Sequence, residues 1–203
     1  VHAVDAAGGH PLLFAIGSER YTPYQKVKQP TELLTIANRI LGTGQLSLAK
    51  YVFITAEEDQ PVDTHREAEF LAYMLERIDL RRDIHFHTNT TIDTLDYTGT
   101  GLNYGSKVVF AAYGDKRREL CTQVPEKLRA LHAALVMPGV VALQSAKFVS
   151  YEQTAGEMEE LCVWLQSLGD LTGVPLFVVC DDSAFMAQSM ANFLWVTFTR
   201  SNP

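Results

Sequence analysis

The stretch Leu46 to Glu58 (LSLAKYVFITAEE) constrains the fold of this chain more than any other. Tyr51 to Thr55 is an unbroken run of aromatic and β-branched residues, with Lys50 at its entry and Glu57, Glu58 and Asp59 at its exit. A strand with one wet face alternates apolar and polar residues. This one does not, so both of its faces are covered. Similar short runs recur at Pro11–Ile16, Lys107–Ala112, Gly139–Leu143 and Leu176–Cys180. Segments with helical spacing lie between them. Thr31–Leu41 carries Leu33, Leu34, Ile36, Ala37, Ile40 and Leu41 on one side, with Thr31 placed to cap its start and Gly42 its end. Asp63–Ile78 and Ala155–Leu168 read the same way. Strands alternating with helices predict an α/β fold, a three-layer α/β/α sandwich on a mainly parallel, mixed sheet. The five apolar runs are expected to share that one sheet.

The order of elements occurs twice. HPLLFAI, TELLTIANRIL and LAKYVFITAEE run alongside PGVVALQ, AGEMEELCVWLQSL and GVPLFVVCDDS, so that Lys50 pairs with Pro175. This predicts two pseudo-repeated units, 1–118 and 119–203, packed as one domain. Gly114–Glu126 reads as the connection, Lys127–Leu135 as a short helix. Ser183–Thr199 reads as a helix apolar on most sides, with Phe185, Met186, Met190, Phe193, Leu194, Trp195, Val196 and Phe198. It needs cover from a second layer or a partner protomer.

Composition excludes several classes. A formal charge of −7 disfavours a nucleic-acid or anionic-membrane surface. No apolar run approaches the roughly 20 residues that span a bilayer. Cys121, Cys162 and Cys180 are odd in number and lack metal spacing, which fits reduced thiols in a cytoplasmic protein. There is no signal peptide and no initiator methionine, so the sequence is expected to be part of something longer.

Few residues carry chemistry on their own. Lys50 enters a buried strand, where an ammonium can neutralise a phosphate, or it is an exposed strand-end lysine. Glu57, Glu58 and Asp59 sit where ligands of open α/β sheets bind, as do Asp181 and Asp182 of the second unit; a solvated acidic loop is the bland alternative. Arg81, Arg82 and Asp83, then Asp93 and Asp96, suit turns and caps. His85 and His87 share one face of a strand, without a third metal ligand nearby. GTGLNYGSK (99–107) lacks the Gly-Lys-Ser/Thr order and the following helix of a phosphate loop.

Taken in order, AKYVFITAEED (49–59), ERIDLRRDIHF (76–86), TTIDTLDY (90–97) and GSKVVF (105–110) resemble the C-terminal domain of the UbiD-type decarboxylases. The resemblance covers about Val4 to Ala112. It departs from the family where Gln60, Pro61 and Val62 interrupt the acids, where Thr91 replaces a proline, and in the second unit, where Pro175 stands for the lysine. That unit reads as an appended degenerate copy. The resemblance implies a parent that removes or adds carboxylate on aromatic or α,β-unsaturated acids, as in ubiquinone-precursor (4-hydroxybenzoate-like) decarboxylation. It implies prenylated FMN and a divalent metal held mainly by an N-terminal flavin-binding half, with homo-oligomerisation. Only Lys50 carries over, as a contact to the cofactor phosphate. No catalytic residue and no metal ligand carries over, and this chain alone is expected to hold no cofactor. A module used only for oligomerisation or partner binding is the alternative.

Overall fold

The computed structural model describes residues 1–6, 9–21, 26–57 and 61–203. Its first sheet contains β1 (His2–Ala6), β2 (Gly9–Gly17), β3 (Tyr51–Ala56), β4 (Ile84–Thr91) and β5 (Tyr104–Ala112), in the order β1-β2-β3-β5-β4. β2, β3 and β5 run parallel, and β1 and β4 pair antiparallel on the two edges. β3 is central, and all six of its residues are buried. Its side chains alternate between two cores. Tyr51 and Phe53 join Leu12, Phe14 and the apolar stripe of α2 (Glu67–Arg77). Val52 and Ile54 join Leu13, Ala15 and the stripe of α1 (Thr31–Leu41). Helices therefore cover both faces, as the unbroken apolar run requires.

Gly139–Leu143 and Leu176–Cys180 do not join this sheet. They belong to a second sheet, β6 (Ala134–Met137), β7 (Val140–Gln144) and β8 (Leu176–Cys180), in that order. The single-sheet expectation fails because antiparallel β1 and β4 already close both sides of the parallel strands. Periodicity reports that both faces of a strand are covered, not which sheet it joins. The repeat itself is present and longer than the sequence suggests. An antiparallel hairpin, a helix and a parallel strand make up both β1-β2-α1-β3 and β6-β7-α3-β8, where α3 is Tyr151–Ser167. Leu12 pairs with Tyr51, and Val140 with Leu176, at matching places.

The two sheets turn equivalent faces toward one shared core. Val140, Ala142, Leu176 and Val178 pack into the same cluster as Phe14 and Phe53. The outer face of the second sheet, with Val141, Leu143 and Phe177, is covered by Leu161, Trp164 and Leu165 of α3. The apolar segment 183–199 lies in the shared layer, which is why it is apolar nearly all round. It is two helices rather than one, α4 (Ser183–Ala187) and α5 (Met190–Thr199), broken where the Ser189 hydroxyl accepts from Asn192 N at 3.1 Å. Lys127–Leu135 is likewise not a helix but a 3-10 turn over Glu126–Leu131 leading into β6.

Candidate functional site

Lys50 lies one residue before β3, at the N-terminal end of the parallel strands. Its N–H donates to the Pro11 carbonyl and its own carbonyl accepts from Val108 N, both at 2.8 Å. The backbone is thus held between β2 and β5, and the side chain has no exposure at all. The exposed strand-end alternative is excluded by this burial. A buried ammonium needs acceptors for its three N–H bonds. It finds the Asp96 carboxylate at 2.6 Å, Thr98 Oγ1 at 2.8 Å and the Ser201 carbonyl at 2.7 Å.

The first two acceptors form one local unit. Asp96 Oδ1 accepts from Thr98 N at 3.0 Å and from Thr98 Oγ1 at 2.6 Å, closing a turn that leaves Oδ2 for the lysine. Burial pushes the Lys50 ammonium below its ordinary range, against the pull of Asp96. Burial also pushes the Asp96 carboxyl upward, but hydrogen bonds from Lys50 and Thr98 outweigh it and hold the group below its ordinary value. The carboxylate is held ionised directly against the ammonium, 2.6 Å away, and this offsets part of the cost of burying the cation. Beside it, the Tyr51 hydroxyl meets Ser201 Oγ at 2.6 Å, and burial raises the phenol.

An open groove of about 1580 Å³ runs past this cluster. Asp96, Thr98 and Ser201, the residues that surround the ammonium, all line it. Leu46, Leu48 and Ala49 give it an apolar wall, and Tyr97, Tyr151 and Trp195 add aromatic surface. Arg200 also lines the groove, its guanidinium 4.3 Å from the centre of the Trp195 ring.

The other residues singled out in the sequence are not gathered here. Glu57 is exposed at the opposite end of β3, and Glu58 and Asp59 lie outside the described residues. Asp181 is exposed, and Asp182 caps α4 by accepting from Phe185 N at 2.8 Å. Arg82 grips the fully buried Asp83 with two bonds of 2.5 and 3.0 Å, while Asp83 also accepts from Asp79 N at 2.9 Å. Arg81 is exposed, with its backbone N–H bonded to Asp79. Asp93 closes an exposed turn on Leu95 N. His85 and His87 are half-buried on β4. No group of three or more His, Cys, Asp or Glu suited to a metal ion occurs among the described residues. Lys107 of the Gly-Ser-Lys run is buried and bonded to the Ser47 carbonyl within β5, not in a phosphate loop.

Sequence reasoning places Asp96 only as a turn residue and misses Thr98, Tyr51 and Ser201. The Asp-x-Thr spacing at 96–98 is a usable signal for the turn. Nothing in the sequence links Ser201 to a lysine 151 positions earlier.

Residues 1–112 match the family described as the 3-octaprenyl-4-hydroxybenzoate carboxy-lyase C-terminal domain. A Chlamydia pneumoniae protein named as one of the subunits of a 4-hydroxybenzoate decarboxylase is 35% identical over 97% of this chain and 30% of its own length. An uncharacterised protein of Chlamydia trachomatis serovar D is 35% identical over 97% of this chain and 31% of its own. The closed form of Sedimentibacter hydroxybenzoicus vanillic acid decarboxylase is similar over 68% of this chain and 25% of its own, with a TM-score of 0.39 and 16% identity. The chain spans about a third of the length of the curated relatives it matches.

Proposed function

Since the chain belongs to the 3-octaprenyl-4-hydroxybenzoate carboxy-lyase C-terminal domain family, we propose that it closes one wall of the flavin site in a longer decarboxylase. The substrate class is an aromatic or α,β-unsaturated carboxylic acid. The observation that carries this reading is Lys50, a buried cation behind the wall of an open groove within the family-matched region. Prenylated FMN supplies the electron sink for loss of CO₂ when bound, with a divalent metal at its phosphate.

The residues present fit a supporting part in that site. In this reading Lys50 meets a phosphate oxygen by exchanging one of its three acceptors, since charged acceptors bind an ammonium more strongly than neutral ones. Arg200 borders the same groove. The apolar and aromatic wall excludes water from whatever lies against it. The acid–base set, the metal ligands and most of the cofactor cradle belong to the remainder of the longer protein, which is the first expected partner. The relative named as one of several decarboxylase subunits supports assembly with further chains, and self-association of the parent is part of the same proposal. No helix among the described residues is long and apolar enough to cross a membrane, and we place the parent in the cytoplasm.

One observation favours the alternative of a purely assembling module: Lys50 is already fully bonded inside the chain. The full-length parent reconstituted with prenylated FMN decides between them. It should release CO₂ from an aromatic acid, whereas the 203-residue chain alone should bind flavin weakly and turn nothing over. Turnover by the isolated chain, or none by the reconstituted parent, would contradict the proposal.

A further inference from the structure

The three acceptors around Lys50 come from two different parts of the chain. Asp96 and Thr98 lie within the family-matched residues 1–112. That part satisfies two of the three N–H bonds of the ammonium and leaves one. The third goes to the Ser201 carbonyl, which lies outside the match and follows the last helix of the second unit. The same short segment is anchored twice more on the first sheet. Ser201 Oγ meets the Tyr51 hydroxyl at 2.6 Å, and Asn202 Oδ1 accepts from Ser106 N at 3.0 Å. Thr199, Arg200, Ser201 and Asn202 all line the groove.

We propose that the Ser201–Asn202 segment is an intramolecular stopper seated on the open bond of Lys50, which a phosphate group entering the groove must displace. This rests on the reading of Lys50 as a phosphate contact and gives the second unit a regulatory part in it. The stopper is a neutral acceptor, so a phosphate oxygen replaces its bond to the ammonium with one in which both partners are charged, while Asp96 and Thr98 stay in place. The anchors at Tyr51 and Ser106 set how readily it leaves. Because the phosphate and the segment compete for one bond, the coupling is reciprocal: loosening the segment tightens anion binding, and the anion loosens the segment.

The test uses inorganic phosphate on the 203-residue chain, with binding followed by amide shifts and with hydrogen exchange at Ser106. Ser201→Ala with Asn202→Ala removes both side-chain anchors. Tyr51→Phe removes one of them from the sheet side and serves if the double variant folds poorly. Either should tighten phosphate binding, the double variant by about tenfold, within the span typical of coupled sites. Adding Lys50→Met should abolish the gain. In the unaltered chain, phosphate should speed exchange of the Ser106 amide. Phosphate binding that depends on Lys50 but is unchanged in the loosened variants would overturn the stopper and leave the phosphate reading standing. Phosphate binding that ignores Lys50 would overturn both, and none in any variant, the loosened ones included, would overturn the stopper.

Discussion

Lys50 and Asp96 bring opposite charges to a place where water reaches the lysine not at all and the aspartate barely, with 0% and 12% of their side chains exposed. Each is tolerated there because of the other. Lys50→Met should therefore destabilise the fold by about 3 kcal/mol, the lower end for breaking a buried pair, since Asp96 keeps some contact with water. A shift in urea midpoint at unchanged slope measures it. The folded Asp96 carboxyl titrates below its ordinary value of 3.8. Its contribution is thus fully present above the unfolded carboxylate range and is lost as pH falls through the depressed folded value. Asp96→Asn should flatten that part of the acid limb of a stability–pH curve. An acid limb as steep as in the parent would argue that other carboxylates set it. Asp83 and Asp93 give a contrast within one sequence pattern. Asp83→Ala removes a fully buried carboxylate that accepts from Arg82 and from the Asp79 N–H, and should cost about 1–3 kcal/mol. Asp93→Ala loses only exposed turn bonds, from Leu95 N and Thr94 Oγ1, and should cost under about 1 kcal/mol. Both are aspartates in polar runs, and only the surrounding packing tells them apart.

At the scale of elements, apolar periodicity identifies β2, β3, β5, β7 and β8 and the three long helices, because each buries an identifiable stripe or face. It misses β1 and β6. The Pro138-Gly139 pair between ALVM and VVALQ is a hairpin signal, and Gly139 takes φ 79°, the left-handed value such a turn asks for. A side chain there would also press on Leu120, whose Cδ2 stands 2.7 Å from an added Cβ. The break between α4 and α5 escapes because an apolar run says nothing about its own continuity. Ser189 marks it by capping α5, and Ser189→Ala should lower stability by about 1 kcal/mol, checked by thermal denaturation. The connection after β5 is held by chemistry that charge alone would not locate. Arg118 donates to the Leu75 carbonyl at 2.5 Å, and Lys116 and Arg117 pair with Glu76 and Asp79 at the C-terminal end of α2, where cations suit the helix dipole.

Across the whole molecule, one core joins the two repeats, and we propose that units 1–118 and 119–203 unfold as one domain. Phe198 of the second unit sits against Tyr51 and Phe53 of the first, with ring centres 5.0 and 5.9 Å apart. Both tryptophans, Trp164 and Trp195, lie in the second unit. Their fluorescence and the far-ultraviolet circular dichroism of the whole chain should then follow one coincident transition. Phe198→Ala, costing about 3–5 kcal/mol, should shift both probes together, and a split between them would show units of independent stability. Flavin content decides whether, as we propose, Lys50 serves a cofactor phosphate from behind the groove. The full-length parent and its Lys50→Met variant would be reconstituted under identical conditions, with folding verified by circular dichroism, and bound prenylated FMN counted per protein. A folded variant should carry markedly less flavin than the parent; equal occupancy would show that Lys50 does not hold the phosphate.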